Sequence, residues 1–169
     1  MRLTLDLTVV GDFLDPGRDR YGLAKEIFEL VKSGTVELAV ASQGHGLDIN
    51  RGDLVAQLQD LLQDSLGETR QLAHVSEVTY PSENLFPGQY VDRLSQAWDE
   101  VIATWRTHEG RPPGLADRFH IESHMLDGRD VFLTDDGPLL AMCRRLNEEH
   151  EFSIRAMRLS EYIAHLKRE

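Results

Sequence analysis

Asp6 sits in an apolar stretch, with Leu3, Leu5, Leu7, Val9 and Val10 around it, whose alternation reads as a buried strand. Strand interiors disfavour aspartate, and a buried carboxylate is unfavourable unless it is paired or bound to a cation. Thr8 follows two positions later. Asp135 and Asp136 come directly after Val131-Phe132-Leu133-Thr134, a short apolar run that reads as a second buried strand. Asp117 opens a helical stretch that leads straight into that strand. In a parallel sheet, ligands gather at the carboxyl ends of the strands, and these acids are expected to converge there. Hard divalent cations prefer oxygen ligands, so the cluster suits one or two divalent metals. Each acid also fits a plainer role. Asp117 suits a helix cap or a dipole partner, and Asp135 and Asp136 suit turn positions before Gly137-Pro138, with Asp136 near a helix start.

Other chemistries fit less well. His120 and His124 have i, i+4 spacing with Glu122 between them. The zinc metalloprotease motif instead places Glu directly after the first His. His120 is expected near the carboxylates, within reach of a phosphate. His45 lies between Gly44 and Gly46 and reads as a loop residue. Cys143 falls among Leu139, Leu140, Ala141 and Met142 and reads as core rather than nucleophile. Phosphatases with an aspartyl nucleophile need Asp-x-Asp, whereas this chain has Asp6-Leu7-Thr8. No G-x-G-x-x-G or P-loop signature supports a nucleotide site.

The elements that must position these residues follow from hydrophobic periodicity. The pattern predicts a strand over Arg2–Val10, a loop over Gly11–Gly17, a helix over Asp19–Lys32 and a strand over Val36–Ala41. Strand, helix and strand make the βαβ unit of a parallel sheet. A helix over Asp48–Leu66 and a weak edge strand over His74–Tyr80 come next. Helices are predicted over Tyr90–Trp105 and Ala116–Leu126, separated by the breaker Glu109-Gly110-Arg111-Pro112-Pro113-Gly114. A strand over Asp130–Thr134, a helix over Pro138–Glu149, a last strand over Phe152–Met157 and a terminal helix from Ser160 to His165 or Leu166 complete the chain. The sum is an α/β fold in which one doubly wound domain spans residues 1–169, its parallel central sheet flanked by helices.

Composition bounds the function. The chain has 169 residues, 41% hydrophobic and 28% charged, which is a globular balance. Its formal net charge of -11 repels polyanions on average, so a protein that coats nucleic acid without sequence preference is disfavoured. An enzyme that cleaves nucleic acid is not, because bound metal offsets part of the charge. No apolar run approaches the roughly 18 residues needed to span a bilayer. The start, Met1-Arg2-Leu3-Thr4-Leu5-Asp6, meets an acid at once and does not read as a signal peptide. With a single cysteine, no internal disulfide can form. The expected location is the cytoplasm.

Two stretches resemble the PIN-domain family. Asp6-Leu7-Thr8-Val9-Val10 is similar to its opening strand, where Asp is followed two positions on by Asn, Ser or Thr. Asp117, a helix of about three turns, Gly128-Arg129-Asp130, an apolar strand and Thr134-Asp135-Asp136 are similar to its third and fourth acidic motifs. In that register Asp117 is the third acid and Asp136 the fourth. The resemblance covers roughly residues 1–50 and 115–165. The family usually carries a Glu after the second strand, and here the nearest acid in register is Asp48, after Ser42-Gln43-Gly44-His45-Gly46-Leu47.

The resemblance implies Mg²⁺- or Mn²⁺-dependent hydrolysis of RNA. Asp6, Asp117 and Asp136 would hold the ion directly or through water, with Asp48 as a further catalytic acid. Thr8, Thr134, Asp135 and His120 would act from the surrounding shell. The expected function is a ribonuclease resembling the toxin of a toxin–antitoxin pair, with an antitoxin protein as partner and a homodimer as its form. Trp98 and Trp105, seven residues apart on one helix face, suit either a dimer interface or the core. The alternative is a non-catalytic PIN-like module that binds RNA or a protein partner through an incomplete acidic site.

Overall fold

The computed structural model describes residues 1–42, 52–66, 75–79 and 89–168. Strands β1 (Arg2–Leu5), β2 (Glu37–Ser42), β3 (Val75–Thr79), β4 (Val131–Leu133) and β5 (Ala156–Met157) form one sheet, in the order β3-β2-β1-β4-β5. Every pairing is parallel. The helices are α1 (Leu7–Leu14), α2 (Tyr21–Lys32), α3 (Gly52–Leu66), α4 (Gln89–Ala103), α5 (Leu115–Leu126), α6 (Gly137–His150) and α7 (Leu159–Leu166). The α/β architecture expected from the sequence is present, and β3 is an edge strand as its weak alternation implied.

Side-chain parity along the strands separates two cores. Leu3 and Leu5 of β1, with Val131 and Leu133 of β4, face a cluster completed by Val9, Val10 and Phe13 of α1, Ile27 and Phe28 of α2, Leu58 and Leu62 of α3, and Tyr162 and Ile163 of α7. Phe132 faces the other side, against Leu94 and Trp98 of α4, Ile121 of α5 and Met142, Cys143 and Leu146 of α6. The chain therefore winds from β1 to β3 with α1–α3 on one face, then returns to β4 and β5 with α4–α6 on the other. The winding reverses between β1 and β4.

Three expectations change. The apolar run Arg2–Val10 is not one strand: β1 stops at Leu5, Asp6 caps α1, and the predicted loop from Gly11 is helical as far as Leu14. Val9, Val10 and Phe13 recur at helical spacing, and their burial against the sheet outweighs the strand-like alternation before them. The last strand shrinks to Ala156–Met157, because the Asn147 side chain takes both backbone groups of Ile154, donating to its O at 2.9 Å and accepting from its N at 2.8 Å. Trp98 is core, 3% exposed, and Trp105 packs against the same cluster, its Nε1 donating to Gly110 O at 3.0 Å. Of the two readings weighed for the pair, Trp98 takes the core one. Asp48, His45, Gly44 and Gly46 lie outside the described residues. Among the described residues no helix is long and apolar enough to cross a membrane.

Helix α5 packs its polar side on the sheet. Thr4 and Asp6 point to the face opposite Leu3 and Leu5, and α5 answers with His124 and His120. His124 Nδ1 lies 2.9 Å from Thr4 Oγ1, and His120 Nδ1 lies 3.6 Å from Asp6 Oδ1. Two strand residues span about 6.6 Å and four helical residues about 6 Å, so the two pairs stack in register along antiparallel axes. His124 also meets Phe132 edge to face, with ring centroids 5.5 Å apart. Burial, aided by the charge of Arg129, pulls the His124 pKa down from 6.5 to about 4.

The unfolded chain thus binds a proton at His124 between pH 6.5 and about 4 that the folded chain does not. The resulting stability is whole above pH 6.5 and is lost as pH falls toward 4, about 3 kcal/mol in total. Urea unfolding at pH 7 and pH 4.5 should show a clear drop in wild type. The drop should be smaller in His124→Gln, which keeps a polar partner for Thr4 and does not titrate. Equal drops in the two proteins would show that His124 is not the acid-labile group.

Candidate active site

The reversal of winding opens a crevice at the carboxyl ends of β1 and β4, the place where doubly wound sheets bind ligands. Asp6 follows β1 directly. Its amide still donates to Leu133 O at 2.9 Å, so the ladder holds it in place. It is 5% exposed. Oδ1 accepts from the Leu7 amide at 2.8 Å, and Oδ2 accepts from Thr8 Oγ1 at 2.7 Å and Thr134 Oγ1 at 2.8 Å. Burial by itself raises the carboxyl pKa. The interaction with His120 and the bonds from the two threonines outweigh it, so Asp6 titrates below the ordinary carboxylate range. It stays an anion in a buried place because donors surround it.

Asp136 follows β4 and caps α6, its Oδ1 accepting from the Leu139 amide at 2.9 Å, with proline in the first turn of that helix. Asp117 stands in the first turn of α5, its Oδ2 accepting from the Gly114 amide at 2.7 Å. Asp117 and Asp136 line one cleft with Arg111, Pro112, Pro113, Gly114 and Pro138. The turn before the cleft depends on Gly110, whose φ of +84° favours glycine and where a Cβ would come within 3.3 Å of Pro138. Burial raises the Asp117 pKa, and the charges of Asp136 and Asp6 add to the rise. Asp117 and Asp136 open helices as their plainer readings implied, Asp6 caps α1 where a strand interior was expected, and all three stand at one end of the sheet.

The surrounding residues divide into two groups. Thr134 links both strands' acids, since its Oγ1 donates to Asp6 and accepts from the Asp136 amide at 3.1 Å. Thr8 accepts from the Asp135 amide at 3.2 Å while donating to Asp6. His120 is buried beside Asp6. Asp135 turns away from the cleft toward Arg20 Nη2 at 2.9 Å and Arg158 Nη1 at 3.7 Å, and burial raises its pKa. Its contacts are with Arg20 of the α1–α2 connection and with Arg158 at the start of α7.

The donor set fits a hard divalent cation in kind. Asp117 Oδ1 and Asp136 Oδ2 accept no hydrogen bond among the described residues. Among those residues, however, no three His, Cys, Asp or Glu side chains stand close enough to enclose an ion. A cation that keeps several waters and takes one or two carboxylates directly suits such a set, which is the habit of Mg²⁺. Cys143 is no competing nucleophile: burial pushes its thiol up to about 12. His124, tied to Thr4 one turn below His120, does not form a zinc pair with it.

The sequence reading missed Asp12, which is 1% exposed on α1 and paired with Arg18 and Arg20. The available signal was its place between Val10 and Phe13, on the apolar face of a helix that was read as a loop. Glu122, 2% exposed within α5, was also missed; Arg118 Nε lies 3.5 Å from it.

No protein-family model, curated protein or solved structure matches this chain. Fold and site together define a doubly wound parallel α/β protein with an acidic crevice at its switch point.

Because Thr134 Oγ1 serves two partners, Thr134→Val should leave the buried Asp6 carboxylate and the Asp136 amide each short of a bond, at about 1–3 kcal/mol of stability. Thr134→Ser, which keeps the hydroxyl, should lose much less. Denaturant unfolding of the two variants makes the comparison, and similar losses would assign the effect to the methyl group instead.

Proposed function

We propose that this chain is a divalent-metal-dependent hydrolase of RNA phosphodiester bonds, built like a PIN domain. The observation that carries the reading is the gathering of Asp6, Asp117 and Asp136 at the carboxyl ends of β1 and β4. There burial raises the pKa of Asp117, and the neighbouring charges of Asp136 and Asp6 add to the rise, a combination that a bound cation would relieve. When bound there, Mg²⁺ or Mn²⁺ would lower the pKa of a water and offset the charge of the phosphate. The chain's own residues do the rest. Asp117 and Asp136 offer open carboxylate oxygens at the cleft. Thr8 and Thr134 fix the Asp6 carboxylate in one orientation. His120 stands beside Asp6, where it can hold or donate a proton at Nδ1. No side-chain nucleophile is required.

A second reading, a module that binds RNA or a protein partner without cleaving, is favoured by one observation. No three ligating side chains among the described residues are placed to enclose an ion. The same assay separates the two. Single-stranded RNA should be cleaved with Mn²⁺ or Mg²⁺ and spared in excess chelator. Asp6→Asn and Asp117→Asn should each reduce the rate about a hundredfold or more. Asparagine is itself a good helix cap, so Asp6→Asn should retain a cooperative thermal melt. Cleavage that persists in chelator, or in Asp6→Asn, would remove the metal mechanism. RNA binding without cleavage under any metal would favour the second reading.

A further inference from the structure

Beside the acidic crevice lies an open pocket lined by Asp12, Gly17, Arg18, Asp19 and Arg20. Its floor is Asp12, with a side chain 2% exposed. Arg18 Nη1 lies 3.3 Å from Oδ1, and Arg20 Nε donates to Oδ2 at 2.8 Å. Arg20 also reaches Asp135 through Nη2, and Arg158 reaches Asp135 through Nη1. The carboxylates face inward, 2% and 10% exposed, and the guanidinium groups of Arg18, Arg20 and Arg158 face outward, 45%, 39% and 42% exposed. Asp19 stands at the exposed rim and makes no ion pair among the described residues.

Asp12 and Asp135 pair directly with the three arginines, while Asp19 at the rim acts on Arg20 only through its charge. One guanidinium fork satisfies one carboxylate. Here Arg18 Nε and Nη2, Arg20 Nη1, and Arg158 Nε and Nη2 have no partner among the described residues. Arg18 also lies close over α1. A Cβ on Gly11 would lie 2.5 Å from Arg18 Cζ, so glycine there lets the guanidinium lie flat across α1. Nη2 of Arg158 lies 3.9 Å from where a Cβ on Gly137 would be, beside the capped start of α6. A single hydroxyl joins this group to the acids: the Asp135 amide donates to Thr8 Oγ1, which donates to Asp6.

We infer that Arg18, Arg20 and Arg158 form a phosphate-docking platform that holds the backbone of single-stranded RNA next to the acidic crevice. The inference rests on the proposed hydrolase reading and names how its substrate is held. A chain of net charge -11 repels a polyanion on average, so a substrate backbone needs a local cluster of outward-facing cations. Guanidinium forks with unspent donors match phosphate oxygens in geometry as well as charge. Asp12 and Asp135 act as positioning residues that hold the forks in place.

The test is fluorescence anisotropy of a labelled single-stranded RNA oligonucleotide in chelator, from 50 to 200 mM salt, so that binding is read without cleavage. Arg18→Gln and Arg158→Gln should each weaken binding several-fold, and the double variant should weaken it more than about tenfold. Each lost arginine should flatten the slope of log affinity against log salt by roughly 0.7. Lys167→Gln, at the far end of α7, should change neither quantity. Arg158→Lys, which keeps the charge but not the fork, should fall between wild type and Arg158→Gln. Arg18→Gln leaves Asp12 paired with Arg20, and thermal melts report whether it folds; if it does not, Arg158→Gln, which touches only Asp135, carries the test. Wild type that binds and cleaves RNA while the arginine variants bind equally well overturns the platform and leaves the hydrolase standing. Wild type that neither binds nor cleaves RNA overturns both.

Discussion

The Asp6 carboxylate is buried where β1 ends, and an anion taken out of water costs several kcal/mol unless donors surround it. Its donors come from two places in the fold. Leu7 and Thr8 follow it in the chain, while Thr134 arrives from β4, 128 residues away in sequence. Satisfying this one group therefore fixes the start of α1 and the alignment of β1 with β4. Through the second bond of Thr134, it also fixes the start of α6. On the opposite face of the sheet Leu3, Leu5, Val131 and Leu133 pack tightly, so the two strands cannot slide to relieve a poor fit at Asp6.

The other end of the sheet is held differently. Arg129, 7% exposed, donates to Leu3 O, Asp127 and Glu37, and the Arg2 amide donates to Asp130. One end of the strands is thus tied by a buried cation with its carboxylates. The carboxyl end presents acids held by hydroxyls and amides, and Asp117 and Asp136 leave an oxygen toward the cleft. This asymmetry distinguishes a structural clamp from a centre with unspent coordinating capacity. It also gives α5 its unusual character: a helix with His120, Glu122, Ser123 and His124 all buried serves as the polar wall of the crevice rather than as part of an apolar layer.

Much of the frame could be read from residue order, because parity and helical period are local properties. Leu94, Trp98 and Val101 announced α4, and Gly137-Pro138 announced α6. The acids Asp6, Asp117 and Asp136 stood out because charge at the boundary of an apolar run is unfavourable without a purpose. What was not legible depends on contacts distant in sequence. Leu3, Leu5 and Leu7 alternate as a strand does, so the switch to a helix at Asp6 was hidden until Val9, Val10 and Phe13 could be seen packing on β1. Asp12 looked like a loop residue because its burial depends on arginines that fold back from six and eight positions on. Phe152 and Ile154 looked like strand residues because nothing local shows that Asn147 takes the backbone groups of Ile154.

Two of the acids at the crevice are also the residues that start helices. Asp6 begins α1 and Asp136 begins α6, each through a bond to a backbone amide. In many binding centres, concentrated charge weakens the fold, and drift erases it once its use is gone. Here drift meets resistance, because replacing either aspartate by a residue that cannot cap costs about 1 kcal/mol. Selection for a folded chain alone would therefore keep aspartate or another capping residue at both positions in descendants that had abandoned any chemistry. In such a lineage, an intact pair of aspartates would record the need to begin two helices. The decay of ancestral activity would show first in residues with no structural duty, such as the outward-facing arginines beside the crevice.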